Sequence, residues 1–343
     1  MTLNSNLPLF SVLLSRFLTE YLPNQRHLSA NTVLTYRDTF KQFVKFLVEE
    51  KHLSLRSFTI HQFTRELISE FILWIQQGGC SPATANLRLA AIKSFCEYAQ
   101  YEALECGEQL HHIMAIKPAK TSIPEVGFLT PEQMASLINL PDVSTASGLR
   151  HRVALTTLYD TGARASELCG IKIEHLYLQS DNPYIKLYGK GSKWRNVPIS
   201  NELANLLNVY KQKRSCSKVN HVASQYLVPN KNNFQMKTDG LQYIIDKYAW
   251  KLHEMDSAFP EHVHPHMFRH SKAMHMLAAG VNIVYIRDFL GHANIETTMR
   301  YARADQEAKR KAIEKLTPRI IEDVDFPDWN DDNDLLSFLN DLA

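Results

Sequence analysis

The sequence predicts a mainly α-helical protein with two domains: an N-terminal bundle of four helices, then an α+β domain that is mostly helical and contains a small antiparallel sheet. Three observations predict this organisation. Apolar residues recur at helical spacing through the first hundred residues, a break with prolines and lysines follows, and two alternating segments interrupt an otherwise helical second half. A chain of 343 residues is long enough for two domains.

Four segments of the N-terminal part have the period of an amphipathic helix. Their apolar residues lie three or four positions apart within residues 10–21, 33–47, 67–75 and 89–99. Ser29 and Ser81 are expected to cap the second and fourth helices, and Pro82 suits the first helical position. Four such helices predict a bundle within an N-terminal domain of residues 1–116.

A linker separates the two predicted domains. Residues 117–127 contain two prolines, two lysines and few apolar side chains, which is typical of an extended linker. Thr130 and Gln133 then have the spacing of a capping box, which predicts the start of a helix. The second domain is therefore expected over residues 128–318, followed by an acidic tail over residues 319–343.

The second domain alternates between helical and strand-like patterns. Residues 150–177 are helical in pattern, and the pattern is helical again from residue 262 onward. Residues 184–188 and 194–199 alternate like strands, and the glycine-rich residues 189–193 between them predict a hairpin turn. This hairpin is the small antiparallel sheet of the predicted fold.

The charge of the chain is unevenly distributed. The formal net charge is only +2, but residues 322–343 hold eight acidic residues and no lysine or arginine. Residues 1–321 therefore carry 38 basic against 28 acidic residues, or +10. A basic body with an acidic tail suits a polyanionic ligand such as nucleic acid, although many solvated surfaces have the same balance.

Several classes of protein are disfavoured by composition. No apolar run approaches the roughly 20 residues that cross a bilayer, and the N-terminus lacks the pattern of a signal peptide. The five cysteines have no close pair, which argues against disulfides and thiolate zinc and for the reducing cytoplasm. The histidines at 262, 264, 266 and 270 are numerous enough for zinc, but no H-E-x-x-H helix is present, so we expect no metal and no cofactor.

Five short motifs occur in order along the second domain. Taken alone, their residues have ordinary explanations: a surface arginine, a solvated turn, or a half-buried core tyrosine. The motifs are Arg164 after a glycine turn with Glu167 three residues later, Lys190 between two glycines, His266-x-x-Arg269, Leu290-Gly291-His292, and Tyr301. Together, in this order and spacing, the set resembles the tyrosine recombinase (phage integrase) family over about residues 8–318. That family shares its catalytic groups with type IB topoisomerases.

The chemistry of strand exchange explains why these residue types belong together. Attack on a phosphodiester passes through a crowded phosphorus with extra negative charge, which two guanidiniums hold better than lysines do. We assign this clamp to Arg164 and Arg269. Tyr301 fits the nucleophile because a phenol with a pKa near ~10 is a fair leaving group when the DNA hydroxyl attacks back. The ester conserves the bond energy, so neither ATP nor metal is required.

The remaining roles are those that the resemblance implies. Lys190 would protonate the departing 5′-oxygen; Lys193 lies nearby, but the family's lysine sits between the turn glycines. His266 looks like the proton acceptor or donor on the tyrosine side, and His292 like a further hydrogen-bond donor to the phosphate. Glu167 is similar to the acidic residue that orients the catalytic arginine and histidine.

Contacts with DNA outside the active site are expected from polar residues on helices whose other faces are apolar. Basic residues on solvated helix faces are also ordinary, so this alternative stays open. The candidate residues are Arg37, Lys41, Thr84, Asn86, Arg88 and Lys93. Lys117 and Lys120 in the linker would meet phosphates as the family's two domains close around DNA.

The resemblance implies a site-specific recombinase that acts through a 3′-phosphotyrosyl intermediate. It would work as a homo-tetramer on double-stranded DNA with paired half-sites, without membrane contact, in the cytoplasm and at the nucleoid. With no predicted domain before Phe10, the arm-binding module of some phage integrases is expected to be absent. The task would be integration and excision of a mobile element, which the string from Tyr301 to Asp305 favours, or resolution of replicons. The alternatives are a type IB topoisomerase and a DNA-binding protein without activity.

Two further points stay open in the sequence. Ser271 and Lys272 replace the small or apolar pair that is usual in the family, with an effect expected only at the surface, and Phe268 stands where leucine is commoner.

In the tail, the apolar residues from Leu335 to Leu342 fit a helix donated to a neighbouring subunit. The acidic stretch would alternatively occupy the DNA groove, or the tail would be dispensable.

Overall fold

A computed structural model of the chain describes residues 9–121, 127–189, 193–216, 224–292 and 294–304. Lys190, the predicted acidic tail and the possible donor helix at its end lie outside these residues. The chain divides into two compact units, Met1–Pro124 and Glu125–Ala343. No helix within the described ranges is long and apolar enough to cross a membrane.

The first unit consists of helices joined by connections of four to fifteen residues. The fold class predicted from the sequence is confirmed, with one further short helix, α5, that the pattern did not predict. The helices of this unit are α1 (Phe10–Arg16), which continues as a π-helix (Phe17–Gln25), α2 (Ala30–Glu49), α3 (Arg65–Gln77), α4 (Pro82–Glu102) and α5 (Gly107–Met114). Ser29 and Ser81 accept hydrogen bonds from the amides three residues on, as expected of N-caps.

Aromatic rings fill the core of the first unit. The rings of Phe10, Phe43, Phe63 and Phe95 are all buried, and neighbouring centroids lie 5.3–5.8 Å apart. Edge-to-face pairs at such distances add stability beyond the area they bury. The bundle is therefore held by rings from α1, α2 and α4 and from the turn before α3.

The second unit packs helices around one three-stranded antiparallel sheet. Its helices are α6 (Pro131–Asn139), α7 (Ala146–Thr161), α8 (Ala165–Cys169), α9 (Asn201–Cys216), α10 (Thr238–Met255), α11 (Pro265–Ala278), α12 (Ile283–Leu290) and α13 (Glu296–Ala304). Its strands are β1 (Leu176–Tyr177), β2 (Tyr184–Gly189) and β3 (Lys193–Pro198), in the order β1-β2-β3. The predicted hairpin is β2–β3, paired with Ile185 opposite Val197. The two-residue strand β1 was not predicted.

A glycine turn divides the helical pattern of residues 150–177 into α7 and α8. Gly162 ends α7 with a left-handed backbone (φ +56°), and a Cβ there would lie 2.8 Å from Cδ2 of Leu290. Both the backbone conformation and the close packing require glycine. The glycine turn expected before Arg164 is present, and Arg164 is the N-cap of the following helix α8. The helical pattern predicted up to residue 177 is wrong at its end, because α8 ends at Cys169 and residues 176–177 form β1.

Residues of α11, α12 and α13 form a second, smaller hydrophobic cluster. Asn282 caps α12 by accepting from the amide of Val284, and Gly291 ends it with a left-handed backbone. The buried residues of this cluster are Ala273, Met274, Ile286, Leu290 and Tyr301. They are separate from the main core of the unit, which the sheet and α6–α11 build.

The pair Ser271-Lys272 is not confined to the surface, and that expectation is wrong. Ser271 is fully buried; its Oγ accepts from the Leu129 amide at 2.8 Å and donates to the Met267 carbonyl at 2.8 Å. The Lys272 ammonium lies 3.1 Å from Oδ1 of Asp160, with only a fifth of the side chain exposed. Both residues fasten α11 to neighbouring segments.

Candidate active site

Arg164 and Glu167 meet at the start of α8. Oε1 of Glu167 accepts from Nη1 of Arg164 at 2.7 Å, and Oε2 accepts from the Arg164 amide at 2.9 Å. Glu167 is almost fully buried, whereas about a quarter of the Arg164 side chain is exposed. The carboxylate thus caps its own helix and fixes the position of the predicted catalytic arginine.

A second arginine, Arg195 on β3, forms a bidentate ion pair with the same carboxylate. Its Nη1 donates to Oε1 of Glu167 at 3.0 Å and its Nη2 donates to Oε2 at 2.8 Å. Burial opposes the charge of Glu167, but the hydrogen bonds from Arg195 and then Arg164 lower the pKa of this carboxyl to about 2. Sequence reasoning missed Arg195, although its position in phase with the buried Val197 on β3 was a signal.

Arg269 is the most enclosed of the site's arginines. It is 3% exposed, and its two Nη atoms donate to the carbonyls of Gly162 and Leu290, both at 2.7 Å. Burial first, and then the positive charge of Arg164, lower its pKa to about 9. The site therefore holds more positive charge than its carboxylate neutralises, which favours an anionic ligand.

The phenol of Tyr301 lies among histidines. Tyr301 is 1% exposed, and its Oη is hydrogen-bonded to Nδ1 of His270 at 2.7 Å. The ring of His292 stacks against it with centroids 6.5 Å apart, and Nδ1 of His292 is hydrogen-bonded to Thr298 at 2.8 Å. The order of the motifs had indicated Tyr301 and His292. It had not indicated the contact with His270.

His266 lies further from the phenol, and Lys190 lies outside the described residues. His266 is exposed near the start of α11, and its ring centroid lies 6.2 Å from that of His270. The roles predicted for His266 and Lys190 stay predictions. Gly189, the last residue of β2, lies beside the carboxylate, since a Cβ there would be 3.1 Å from Oε1 of Glu167. Within the described part of the chain, no group of three histidine, cysteine, aspartate or glutamate side chains could hold a metal ion.

The polar residues predicted to contact DNA lie in the first unit and fall into two groups. The Asn86 amide exchanges two hydrogen bonds of 2.9 Å with the backbone of Ala119, and the Lys93 ammonium donates to the Ile116 carbonyl at 2.6 Å. These two side chains hold the segment after α5. The others are on the surface: Arg37 and Lys41 on α2, and Thr84 and Arg88 on α4, the last two lining a cavity of about 840 Å³.

Known proteins of one kind match the chain over nearly its whole length. Residues 127–308 match the phage integrase family, and residues 14–103 match the N-terminal SAM-like domain of phage integrases. A putative integrase/recombinase of Sinorhizobium fredii is 32% identical over 96% of this chain and 97% of its own length. The tyrosine recombinase XerC of Staphylococcus carnosus is 30% identical over 86% of this chain and 94% of its own.

Solved structures have the same fold. One is the Tn1549 transposon integrase in complex with a circular intermediate DNA, with a TM-score of 0.68, 19% identity and coverage of 91% of this chain and 100% of that chain. Another is the XerH site-specific recombinase bound to palindromic difH substrate, with a TM-score of 0.63, 20% identity and coverage of 84% and 81%. The fold and the matches together define a tyrosine-type site-specific recombinase. The chain belongs to the phage integrase family, as its motifs predicted.

Proposed function

We propose that the protein cuts and rejoins duplex DNA through a covalent 3′-phosphotyrosyl bond to Tyr301. The observation that carries the proposal is the guanidinium cluster: Arg164 and Arg195 pair with Glu167, and the buried Arg269 lies close enough for the charges of Arg164 and Glu167 to act on its pKa. A bound phosphodiester would supply negative charge to balance the excess positive charge of this cluster. Preorganised donors of this kind stabilise the charge that develops in a transition state.

The cutting step forms one bond and breaks one. Oη of Tyr301 attacks the scissile phosphorus, the bond from phosphorus to the 5′-oxygen breaks, and the 3′ end of the strand stays on the tyrosine. Arg164 and Arg269 hold the non-bridging oxygens, with His292 as a further donor. Lys190 gives a proton to the departing 5′-oxygen, and His266 receives the proton of the phenol, to which His270 is hydrogen-bonded.

Rejoining is the same reaction in reverse. A 5′-hydroxyl from the partner strand attacks the phosphotyrosyl phosphorus, and the phenol leaves and regains its proton. Because each step exchanges one phosphate ester for another, the sequence of steps needs no external energy source. The product is a recombined strand and an unaltered Tyr301.

The assembly and the biological task are part of the proposal. Four copies would hold two DNA sites, each site made of paired half-sites, at the nucleoid in the cytoplasm. Surface residues of the first unit, Arg37, Lys41, Thr84 and Arg88, would contact phosphates and bases. Asn86 and Lys93 would do so only after releasing the segment that they bind. The task would be movement of a mobile element or resolution of replicons.

Covalent trapping tests the proposal. Duplexes tiled across the DNA that flanks the gene, each with a nick close to the 3′ side of the tested phosphate, lose the short leaving fragment and so prevent rejoining. With a label at the 5′ end of the cut strand, we expect a denaturation-resistant labelled adduct. Tyr301→Phe should form none, while Tyr285→Phe, which alters an exposed tyrosine on α12, should react like the unaltered protein.

Three outcomes would contradict the proposal. An adduct that persists in Tyr301→Phe would assign the nucleophile to another residue. No adduct from the unaltered protein on any tile would indicate a binding protein without activity. Relaxation of a supercoiled plasmid that lacks any of the tiles would indicate a type IB topoisomerase instead.

A further inference from the structure

Both carboxylate oxygens of Glu167 accept hydrogen bonds from arginines. Arg195 and Arg164 differ in how many of these bonds their guanidinium groups make. Arg195 takes the two-point position, with one Nη on each oxygen. Among the described residues, the guanidinium of Arg164 has one hydrogen-bond partner, Oε1 of Glu167. The forked arrangement is the stronger of the two, because two parallel charge-assisted hydrogen bonds fix both distance and orientation.

The unequal sharing matters because Arg164 stands three residues from Glu167 on the same helix start. An arginine so close to a buried carboxylate is drawn into the two-point position whenever that position is open. Its donors would then be used up on Glu167 and turned away from a phosphate. With Arg195 in that position, most of the donors of the partly exposed Arg164 stay available to a ligand.

Arg195 also lies under the turn that leads to His292. A Cβ on Gly291 would be 2.9 Å from Cδ of Arg195, so the stem of the arginine fills the space below the turn. Its Nε is buried with no hydrogen-bond partner among the described residues, a cost that the ion pair must outweigh. One side chain thus connects β3, the start of α8 and the end of α12.

We propose that Arg195 is a positioning residue: it holds Glu167 with both Nη atoms so that Arg164 faces the scissile phosphate, and it supports the Gly291–His292 turn. Arg195 acts through Glu167 and the turn, without touching the reacting atoms. The inference rests on the proposed strand cutting and adds to it a residue that none of the motifs contained.

Arg195→Lys is the decisive change, because it keeps the charge but loses the fork. We expect single-turnover cleavage of the trapping duplex to slow about tenfold or more, since lost preorganisation of a transition-state donor has effects of this size or larger. Affinity for the same duplex and the thermal midpoint should change little. Arg195→Gln, which loses the charge as well, serves as a second variant.

The matched control is Arg214→Lys. Arg214 on α9 is also partly buried and donates to three backbone carbonyls, of Ser224, Tyr226 and Leu227, at 2.8–3.1 Å. Its loss should lower stability and leave the cleavage rate of the folded protein unchanged. A rate loss confined to Arg195 variants therefore reports on the site.

Glu167→Gln tests the route by which Arg195 acts. A neutral amide attracts Arg164 much less, so the rate cost of Arg195→Lys should be clearly smaller in the Glu167→Gln background than in the unaltered protein. Equal costs in both backgrounds, or Arg195→Lys and Arg195→Gln proteins that are folded and cut at the unaltered rate, would overturn the inference. Absence of any adduct from the unaltered protein would instead contradict the proposed function.

Discussion

Gly291 is the residue at which backbone conformation and active-site packing meet. Its φ of +66° lies in the left-handed region, which side chains with a Cβ adopt at a cost. The space where its Cβ would stand is occupied by Arg195. Gly280, after α11, has a similar φ of +80° but nothing within 4 Å of the position of a Cβ.

The two glycines form a matched pair for substitution by alanine. Gly280→Ala should cost about 1 kcal/mol of unfolding free energy, from backbone strain alone. Gly291→Ala should cost more, and it should also slow DNA cleavage, because the new methyl group displaces Arg195 from beneath the turn. Urea unfolding and single-turnover cleavage of both variants measure the two effects. Equal loss of stability and unaltered cleavage in both would show that the contact with Arg195 has no consequence.

At the scale of single residues, the sequence predicted the groups that belong to motifs. Arg164 and Glu167 lie three apart at a helix start, so local geometry alone brings them together. The hydrogen-bond partner of Tyr301 could not be predicted in this way. His266 and His270 lie one turn apart on α11, and which of them meets the phenol depends on how α13 packs. Arg195 was missed because its partner lies 28 residues earlier in the chain.

Between elements, the pair Asp160–Lys272 joins three helices. Oδ1 of Asp160, near the end of α7, lies 3.1 Å from the Lys272 ammonium on α11, and Oδ2 accepts from the Ser200 amide before α9 at 2.8 Å. The ammonium also lies over the rings of Tyr159 and Phe289, at 5.1 and 5.8 Å. With 13% of the Asp160 side chain and 20% of the Lys272 side chain exposed, the pair is mostly removed from water.

Replacing only one member of this ion pair should lower the free energy of unfolding. Lys272→Met keeps the apolar contact with the rings but leaves the Asp160 charge half-buried, so we expect a loss of about 1–3 kcal/mol of unfolding free energy. In the double variant Asp160→Asn/Lys272→Met the loss should be smaller than the sum of the single losses. Urea unfolding of the three proteins provides the test. Strict additivity would mean that the two charges do not interact.

The elements themselves were predictable where a local signal exists. Ser81, Thr130 and Asn282 stand at helix starts and accept hydrogen bonds there, so each helix begins where its capping residue indicates. The glycine turn before Arg164 was predictable because it is a local signal, whereas the contact of Gly162 with Leu290 joins residues far apart in the chain and could not be predicted. The short helix α5 was missed because eight residues give too little period to detect.

For the whole molecule, the uneven charge leads to a prediction about DNA affinity. A protein that ends at Ile321 loses eight acidic residues and no basic ones. It should bind a 20-base-pair duplex of arbitrary sequence several-fold more tightly at 50 mM salt, with a difference that fades towards 200 mM as charges are screened. Fluorescence anisotropy across this range measures the effect.

A variant with an uncharged tail distinguishes the effect of the acidic residues from that of the apolar residues at the end of the tail. The full-length protein with the eight acids replaced by asparagine and glutamine should bind like the shortened one. Tight binding by the shortened protein alone would assign the effect to the segment from Leu335 to Leu342. Equal affinity of all three proteins would mean that the tail does not compete with DNA.

The separate small core around Tyr301 has a consequence for the timing of the reaction. With 1% of the tyrosine exposed, the proposed attack on a phosphorus atom requires that the groups covering Tyr301 move. Among the described residues, five buried side chains form the cluster around Tyr301, and the partly buried Phe289 packs against both this cluster and the main core. We therefore expect local opening around Tyr301 to cost less free energy than global unfolding. If Tyr301 is the nucleophile, its oxygen would become reachable only after a local rearrangement, and this would limit DNA cleavage before the proposed complex has assembled.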